Sequence, residues 1–386
     1  MTGAARLIAL SLATWGIGEG MFVYFLPIYM QELGAGPVQI GTIFGLAGAL
    51  MALLHLPAGM LSDRFGPKGV LAAGWIQALL ATWLMYAARS LPVFAAGLMV
   101  YMMTFYIMSP MASYLTASRG RWTTARTLTT VSAAYNLGAA IGPLIGGQVG
   151  EAIGLRPIFA IAGVLFVIST ALILLIARQE PLRNPGPGNG REALARPAMI
   201  GFLTLVMLGA FGMYLSWPLT PNYLQEVHGV TLAQIGLFGS LNALGIVALN
   251  LGLGRLEART GYMLAQAAVG LSVALLWRGS GLAGFGLGYL LAGGYRTFRS
   301  LVAAMIETQV EASGRGRAYG VAETVQGLAL LLAPPLAGLL YRSDPALPYP
   351  VALAVIALVL LLNVRFAPRA RGEVAIDGGP QRRDPQ

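Results

Sequence analysis

Apolar stretches of 18 to 27 residues, separated by short polar breaks, run along most of the 386-residue chain. A helix needs about 20 apolar residues to cross the hydrocarbon core of a bilayer. The pattern therefore predicts an all-α polytopic membrane protein with twelve transmembrane helices. Their expected positions are 7–32, 38–62, 69–88, 91–117, 126–150, 156–177, 198–224, 231–255, 262–279, 283–308, 317–341 and 348–366. A transmembrane barrel would instead show alternating segments of about 10 residues. Two segments break the pattern. Residues 178–197 are rich in Pro, Gly and charge and read as a cytoplasmic linker. Residues 367–386 have the same character and read as a disordered cytoplasmic tail. They leave an N-terminal six-helix half, 1–177, and a C-terminal six-helix half, 198–366.

Composition removes the soluble alternatives. Apolar residues make up 56% of the chain and charged residues 10%, against about 25% charged in a soluble domain. The net charge of +10 rests on 24 Arg and one Lys. In a soluble protein it would suggest nucleic acid, but here it sorts by loop. With the N-terminus in the cytoplasm, 19 basic residues fall in cytoplasmic segments and 4 in outer loops, with Arg296 and Arg299 inside span 10. That bias predicts a multi-pass plasma (inner) membrane protein with both termini cytoplasmic, and no nucleic-acid partner. No cysteine is present and the histidines are His55 and His228, so neither a disulfide nor a metal site is expected. His55 reads as a neutral packing residue. Arg6 precedes a long apolar run without a cleavage pattern, which reads as a first span and not a removed signal. Gly16-x-Gly18-x-Gly20 lies in an apolar span with no strand before it and is no nucleotide loop.

The halves repeat each other. Tyr29, Gln31 and Glu32 at the end of span 1 align with Tyr223, Gln225 and Glu226 at the end of span 7. Gln39-Ile40-Gly41 aligns with Gln234-Ile235-Gly236, and Pro143 and Gly146 align with Pro335 and Gly338. Six spans per half is an even number, so the repeat is parallel, about an axis along the membrane normal.

Gly59-Met-Leu-Ser-Asp63-Arg64-Phe-Gly66-Pro-Lys68, between spans 2 and 3, resembles the signature of the major facilitator superfamily, and the resemblance covers essentially the whole chain. Pro67 departs from the family pattern, which usually has a basic residue there. In the second-half echo, Ala258 replaces the acid. The resemblance implies a conformational latch in which Asp63 faces the start of span 11. Read without it, Arg64 and Lys68 are topogenic charges. Gly138-Ala-Ala-Ile-Gly142-Pro143-Leu-Ile-Gly146-Gly147 in span 5 puts small residues on one face, with Pro143 able to kink the helix. It resembles the span-5 motif of the drug:proton antiporter branch, and the same geometry serves ordinary helix packing. Span 4 lacks that branch's Arg-x-x-Gln-Gly pattern. The resemblance also implies that spans 1, 4, 7 and 10 line a central cavity. Candidate lining residues are Trp15, Phe22, Met99, Met103, Tyr106, Phe211, Tyr214 and Trp217, with Met99, Met103, Tyr106 and Pro110 on one helical face. Packing filler is the other reading of the same residues.

Charges inside a membrane span cost about 2.5–3.5 kcal/mol each on insertion scales. Glu19, Arg296, Arg299 and Glu323 stand out as a proton-coupling charge network, or else as ion pairs that lock helices. Counting about 1.5 Å of rise per residue puts Glu19 and Arg296 at one depth, about 18 Å in, with Arg299 and Glu323 lower. A nearby arginine favours an ionised glutamate and apolar burial favours the protonated form, so rocking the halves could load and release a proton. The expected function is alternating-access transport of small molecules across the membrane, proton-coupled efflux of lipophilic or cationic compounds. A sugar or metabolite carrier of the same fold is the alternative. No enzyme motif is present. The proton gradient would be the driving force, with no cofactor and a monomer as the working unit.

Overall fold

The computed structural model describes residues 1–179, 196–310 and 315–367, with side chains throughout except at 52–61, 63–65, 109, 125, 308 and 315–317. Helices dominate. In chain order they are α1 Gly3–Val23, α2 Leu26–Glu32, α3 Pro37–Phe65, α4 Pro67–Ala87, α5 Leu91–Met103, α6 Met108–Ala117, α7 Thr124–Ile153 and α8 Arg156–Leu174. After the linker come α9 Pro197–Leu215, α10 Thr220–His228, α11 Leu232–Leu253, α12 Ala258–Arg278, α13 Gly281–Ala292, α14 Gly294–Gln309, α15 Arg315–Ser343 and α16 Pro348–Phe366. Nine stretches among the described residues are long and apolar enough to cross a membrane, ten when α1 and α2 count as one span bent by 46°. The other two expected spans are helical as well. Of α3, the apolar part Pro37–Met51 falls short of crossing length among the described residues, and the tenth is divided into α13 and the charged α14.

Four of the expected spans are interrupted, and they are spans 1, 4, 7 and 10. Each break has a local cause. Proline has no N–H to close the helical bond to the residue four earlier. Pro27 stands in the first turn of α2, Pro110 follows the 3-10 turn Thr104–Ile107, and Pro218 and Pro221 flank the start of α10. At span 10, Gly293 sits against the backbone of Gly245 and Ile246 in α11, where a Cβ would collide. The 3-10 turn lies between Met103 and Pro110, within the stretch expected to present Met99, Met103, Tyr106 and Pro110 on one face. Pro143, able to kink its span, lies inside α7 without ending it. The expected linker and tail, 178–197 and 367–386, lie almost wholly outside the described residues.

The first set of helices, α1–α8, is fastened internally by glycine. Gly138, Gly142 and Gly146 of α7 abut the backbone of α1 at Ala13, Ile17 and Met21, and Gly16 and Gly20 of α1 abut α7 in return. Helices in a bilayer gain little from hydrophobic exclusion, so such backbone contact is what small residues provide. Trp75 donates to Ser11 and Ser169, both at 2.9 Å, joining α4, α1 and α8 in a buried polar knot. In the second set, Asn363 of α16 donates to Gln266 of α12 at 3.1 Å.

The two sets meet along one end of the bundle. Gln31 of α2 donates to Glu226 and accepts from Asn222, both on α10, and Tyr341 of α15 donates to Glu226 at 2.5 Å. Gly41 and Gly45 of α3 lie on the backbone of Pro334 and Leu331 in α15, and Gly147 of α7 lies on α11 at Leu232 and Gly236. Repeat partners occupy matching places: Tyr29 packs on Phe159 of α8, and Tyr223 packs on Tyr349 of α16. Between this Glu226 end and the helix breaks, hydrogen bonds join the sets at Tyr24–Asn242, Gln31–Glu226, Asn222–Pro27, Asn222–Gln31 and Ala233–Glu151. At the opposite, Arg119 end, Thr2 donates to the Ser118 carbonyl within the first set.

Candidate functional site

Glu19 is buried, with 7% of its surface accessible. Its position follows from the glycines around it. Gly16 lets α7 approach until the carbonyl of Tyr135 touches α1, and at that separation the Tyr135 hydroxyl donates to Glu19 Oε2 at 3.0 Å. Trp15, one turn earlier on α1, donates its indole N–H to the same oxygen at 3.1 Å. Tyr101 of α5 completes the enclosure. Its hydroxyl is in electrostatic contact with the carboxyl group but does not meet hydrogen-bond geometry, and it has no other partner. Two donors on one buried carboxyl oxygen are what a buried carboxyl group requires.

Arg296 is the third residue of α14 and is exposed. It is within electrostatic reach of Glu19, Tyr24, Tyr135 and Tyr214, groups contributed by both sets of helices. No ion pair joins it to Glu19, and among the described residues its guanidinium makes no hydrogen bond. Arg299, one turn on, is paired with Glu323 of α15, and their side chains remain 32% and 59% accessible. Arg296, Ser300 and Glu307 are exposed and Arg299 and Ala303 partly so, which makes one face of α14 accessible along its length.

Around Arg296 stand aromatic groups that single-sequence reading did not single out. Tyr24, at the α1–α2 break, donates to Asn242 of α11 at 3.0 Å, and Asn242 donates to the Tyr289 carbonyl at 2.8 Å. Tyr289 packs 5.3 Å from Trp217, and Tyr295 packs 5.7 Å from Tyr214. The hydroxyls of Tyr289 and Tyr295 are buried without a partner. Asn242 was visible as a polar group in a span. Tyr24, Tyr135, Tyr289 and Tyr295 are ordinary span residues until the breaks and the glycine contacts bring them together.

Several cavity candidates are placed elsewhere. Phe22 is fully buried within the first set, between Tyr101, Phe159 and Phe166, because its side of α1 faces α5 and α8. Tyr106 turns toward α4, donating to Gln77 at 3.2 Å. Trp15 is buried on Trp75 and Phe166, and only its N–H edge reaches the Glu19 pocket. Met99 and Met103 are half-buried on α5, and Phe211, Tyr214 and Trp217 are half-buried on the second set. Of the signature, the side chains of Gly59, Asp63 and Arg64 lie outside the described residues. Gly66 has φ +82° and lies against the Gln179 carbonyl, so a side chain is excluded there twice over. Pro67 stands in the first turn of α4, a position that suits proline, and Lys68 is half-buried beside it. His228 stacks on Tyr223 and Phe285. No group of metal-ligating side chains occurs among the described residues.

Comparison with known proteins agrees with this architecture. A family model described as Major Facilitator Superfamily matches residues 8–263 and again 202–382. The uncharacterized MFS-type transporter YuxJ of Bacillus subtilis is 28% identical over 352 residues, covering 83% of this chain and 87% of that one. Multidrug resistance protein 1 of the same organism is 22% identical over 228 residues, covering 57% of this chain and 58% of that one. The chain spans about half the length of several curated relatives it matches. A crystal structure of a mutant nucleoside transporter, NupG, superposes with a TM-score of 0.84 over 95% of this chain and 100% of that one, at 13% identity. Likeness at that identity is likeness of fold.

Proposed function

The chain belongs to the major facilitator superfamily and is a membrane transporter of that family, and we propose that it exports lipophilic small molecules by proton-coupled alternating access. Residues 1–177 and 198–366 act as two bodies that rock about the central cleft. The working unit is a monomer that needs no cofactor beyond the proton gradient. The Arg119 end is cytoplasmic, on the 19-to-4 distribution of basic residues. The state described above is then closed outward at Gln31, Asn222 and Glu226.

One observation carries the coupling reading. Glu19 and Arg296 are opposite charges on the two bodies, within reach of each other yet unpaired, and Glu19 keeps its own donors in Trp15 and Tyr135. A pair that only locked helices would be closed. An open one changes its separation when the bodies rock, and with it the ease of holding a proton on Glu19. Arg299 and Glu323, both on the second body, move together and are a structural pair. Relatives named for multidrug resistance support the outward direction.

The alternative of a sugar or metabolite carrier needs several free amide groups facing one cavity. Of the span amides Asn136, Asn242, Asn250, Gln77 and Gln326, all but Asn250 donate to the protein's own carbonyls among the described residues. A shared fold does not choose between substrates, and this occupation of the amides favours an apolar ligand.

The test is Glu19→Gln in proteoliposomes with an imposed pH gradient. Proton-driven substrate movement should be lost while the folded protein and its ligand-induced thermal stabilisation are retained. A Glu19→Gln protein that still moves substrate against its gradient, with the same pH dependence, removes Glu19 from the mechanism.

A further inference from the structure

The charges in the cleft do not balance group by group. Glu323 is paired with Arg299, and Glu19 is satisfied by Trp15 and Tyr135. Arg296 remains: exposed, with neither an ion pair nor a hydrogen bond on its guanidinium among the described residues. It stands in the first turn of α14, whose 16 residues begin at Gly294. A helix start adds positive potential of its own, because its first N–H groups lack partners inside the helix. The hydroxyl of Tyr295, within electrostatic reach of Arg296, is buried without a partner among the described residues, and so is that of Tyr289, which packs on Tyr24 and Trp217. Buried polar groups in folded proteins are nearly always satisfied, so orphans beside a cleft point to a ligand or water that completes them. Tyr24 and Tyr214 are within electrostatic reach of Arg296, and Trp217 packs 6.4 Å from Tyr24.

Resting on the transport reading above, we propose that the substrates are organic acids: a carboxylate or sulfonate that pairs with Arg296, on an aromatic body held by Tyr214, Trp217 and Tyr24. Arginine presents a planar fork that fits a carboxylate in two-point contact. A cation would meet the opposite arrangement, since Arg296 repels it and the carboxyl group of Glu19 is already taken up by Trp15 and Tyr135. On this proposal the substrate class is anionic where the sequence led to an expectation of lipophilic or cationic compounds. An acid on Arg296 would also compete with Glu19 for the same guanidinium, which ties ligand binding to the state of the carboxyl group without any further residue.

The experiment compares three probes of one shape on the purified full-length protein: naphthoate, its neutral amide naphthamide, and naphthyl-trimethylammonium. Thermal stabilisation is titrated with each. Naphthoate should reach half its effect at a concentration about tenfold or more below either of the others, the size expected of a hydrogen bond to a charged group. Arg296→Gln should erase that preference, and Arg296→Lys, which keeps the charge without the fork, should restore part of it. Equal response to all three probes, response to the ammonium alone, or no response overturns the proposal. So does an anion preference that survives Arg296→Gln. No gradient is applied, so failure here condemns the substrate class and leaves the coupling role of Glu19 to its own test. Should Arg296→Gln not fold, the wild-type ranking and the lysine variant still decide.

Discussion

Tyr24 donates a 3.0 Å hydrogen bond to Asn242, and the bond joins the last residue before the break in span 1 to the middle of α11. It is the innermost of the hydrogen bonds between the two sets of helices among the described residues. Asn242 is held in place by its own bond to the Tyr289 carbonyl at 2.8 Å. Opening toward the Glu226 end must break Tyr24–Asn242. A buried hydrogen bond contributes about 1 kcal/mol, or about fivefold in an equilibrium. Tyr24→Phe is therefore expected to raise the outward-open population by about that factor. The chain has no native cysteine, so spin labels at Leu33 and Val227 report the change directly as a longer distance component. An unchanged distance distribution would show that the bond does not hold the closed state.

At the rim of the same end, Gln31 and Tyr341 both donate to Glu226 from opposite sets of helices. Sharing one acceptor makes their effects interdependent. Gln31→Ala and Tyr341→Phe should each favour opening, and the double variant should fall short of or exceed the sum, with a coupling of about 0.5 kcal/mol or more. The same label pair measures it. Strict additivity would mean that the two residues act on closure by separate routes.

Much of this architecture is legible in the sequence because a bilayer admits few solutions. Span positions, the glycine face of α7 and the repeat of Tyr29 in Tyr223 all follow from period and length. The interrupted spans are half legible: Pro27, Pro110, Pro218 and Pro221 announce themselves, whereas Gly293 matters only because Gly245 crosses it. Pro143 lies inside α7 and does not end it. The cavity residues were the least legible. Which side of α1 is inward depends on the contact of Gly16 and Gly20 with α7, and that contact puts Glu19 with Tyr135 and turns Phe22 into the first set's interior. One helix considered alone carries no record of its neighbour's glycines.

That contact yields its own expectation. A Cβ at Gly142 or Gly146 would collide with the α1 backbone at Ile17 or Met21, where no side-chain rotation can relieve it. Overpacking of this kind costs about 1–3 kcal/mol. Gly146→Ala should lower the melting temperature of the detergent-solubilised protein. Gly252→Ala, with nothing near its Cβ, should leave it unchanged or raise it. Equal melting temperatures for the two variants would mean that α1 and α7 slide freely enough to accept a methyl group.

The Arg299–Glu323 pair separates charge kept for structure from charge kept for coupling. Both residues belong to the second set, and their side chains are 32% and 59% accessible. In water-accessible geometry an ion pair is worth about 0–1 kcal/mol and is screened by salt. A double-mutant cycle of Arg299→Gln and Glu323→Gln, read by thermal unfolding, should therefore give a coupling below about 1 kcal/mol that shrinks as salt is added. Under the proposed two-body motion the pair keeps its separation in both states, so neutralising both members should leave pH-driven transport in place. Glu19→Gln should remove it. A coupling of about 3 kcal/mol or more would mark a dry, buried pair instead. Loss of proton-driven transport in the double variant would move the coupling machinery from the Glu19–Arg296 gap to α14 and α15.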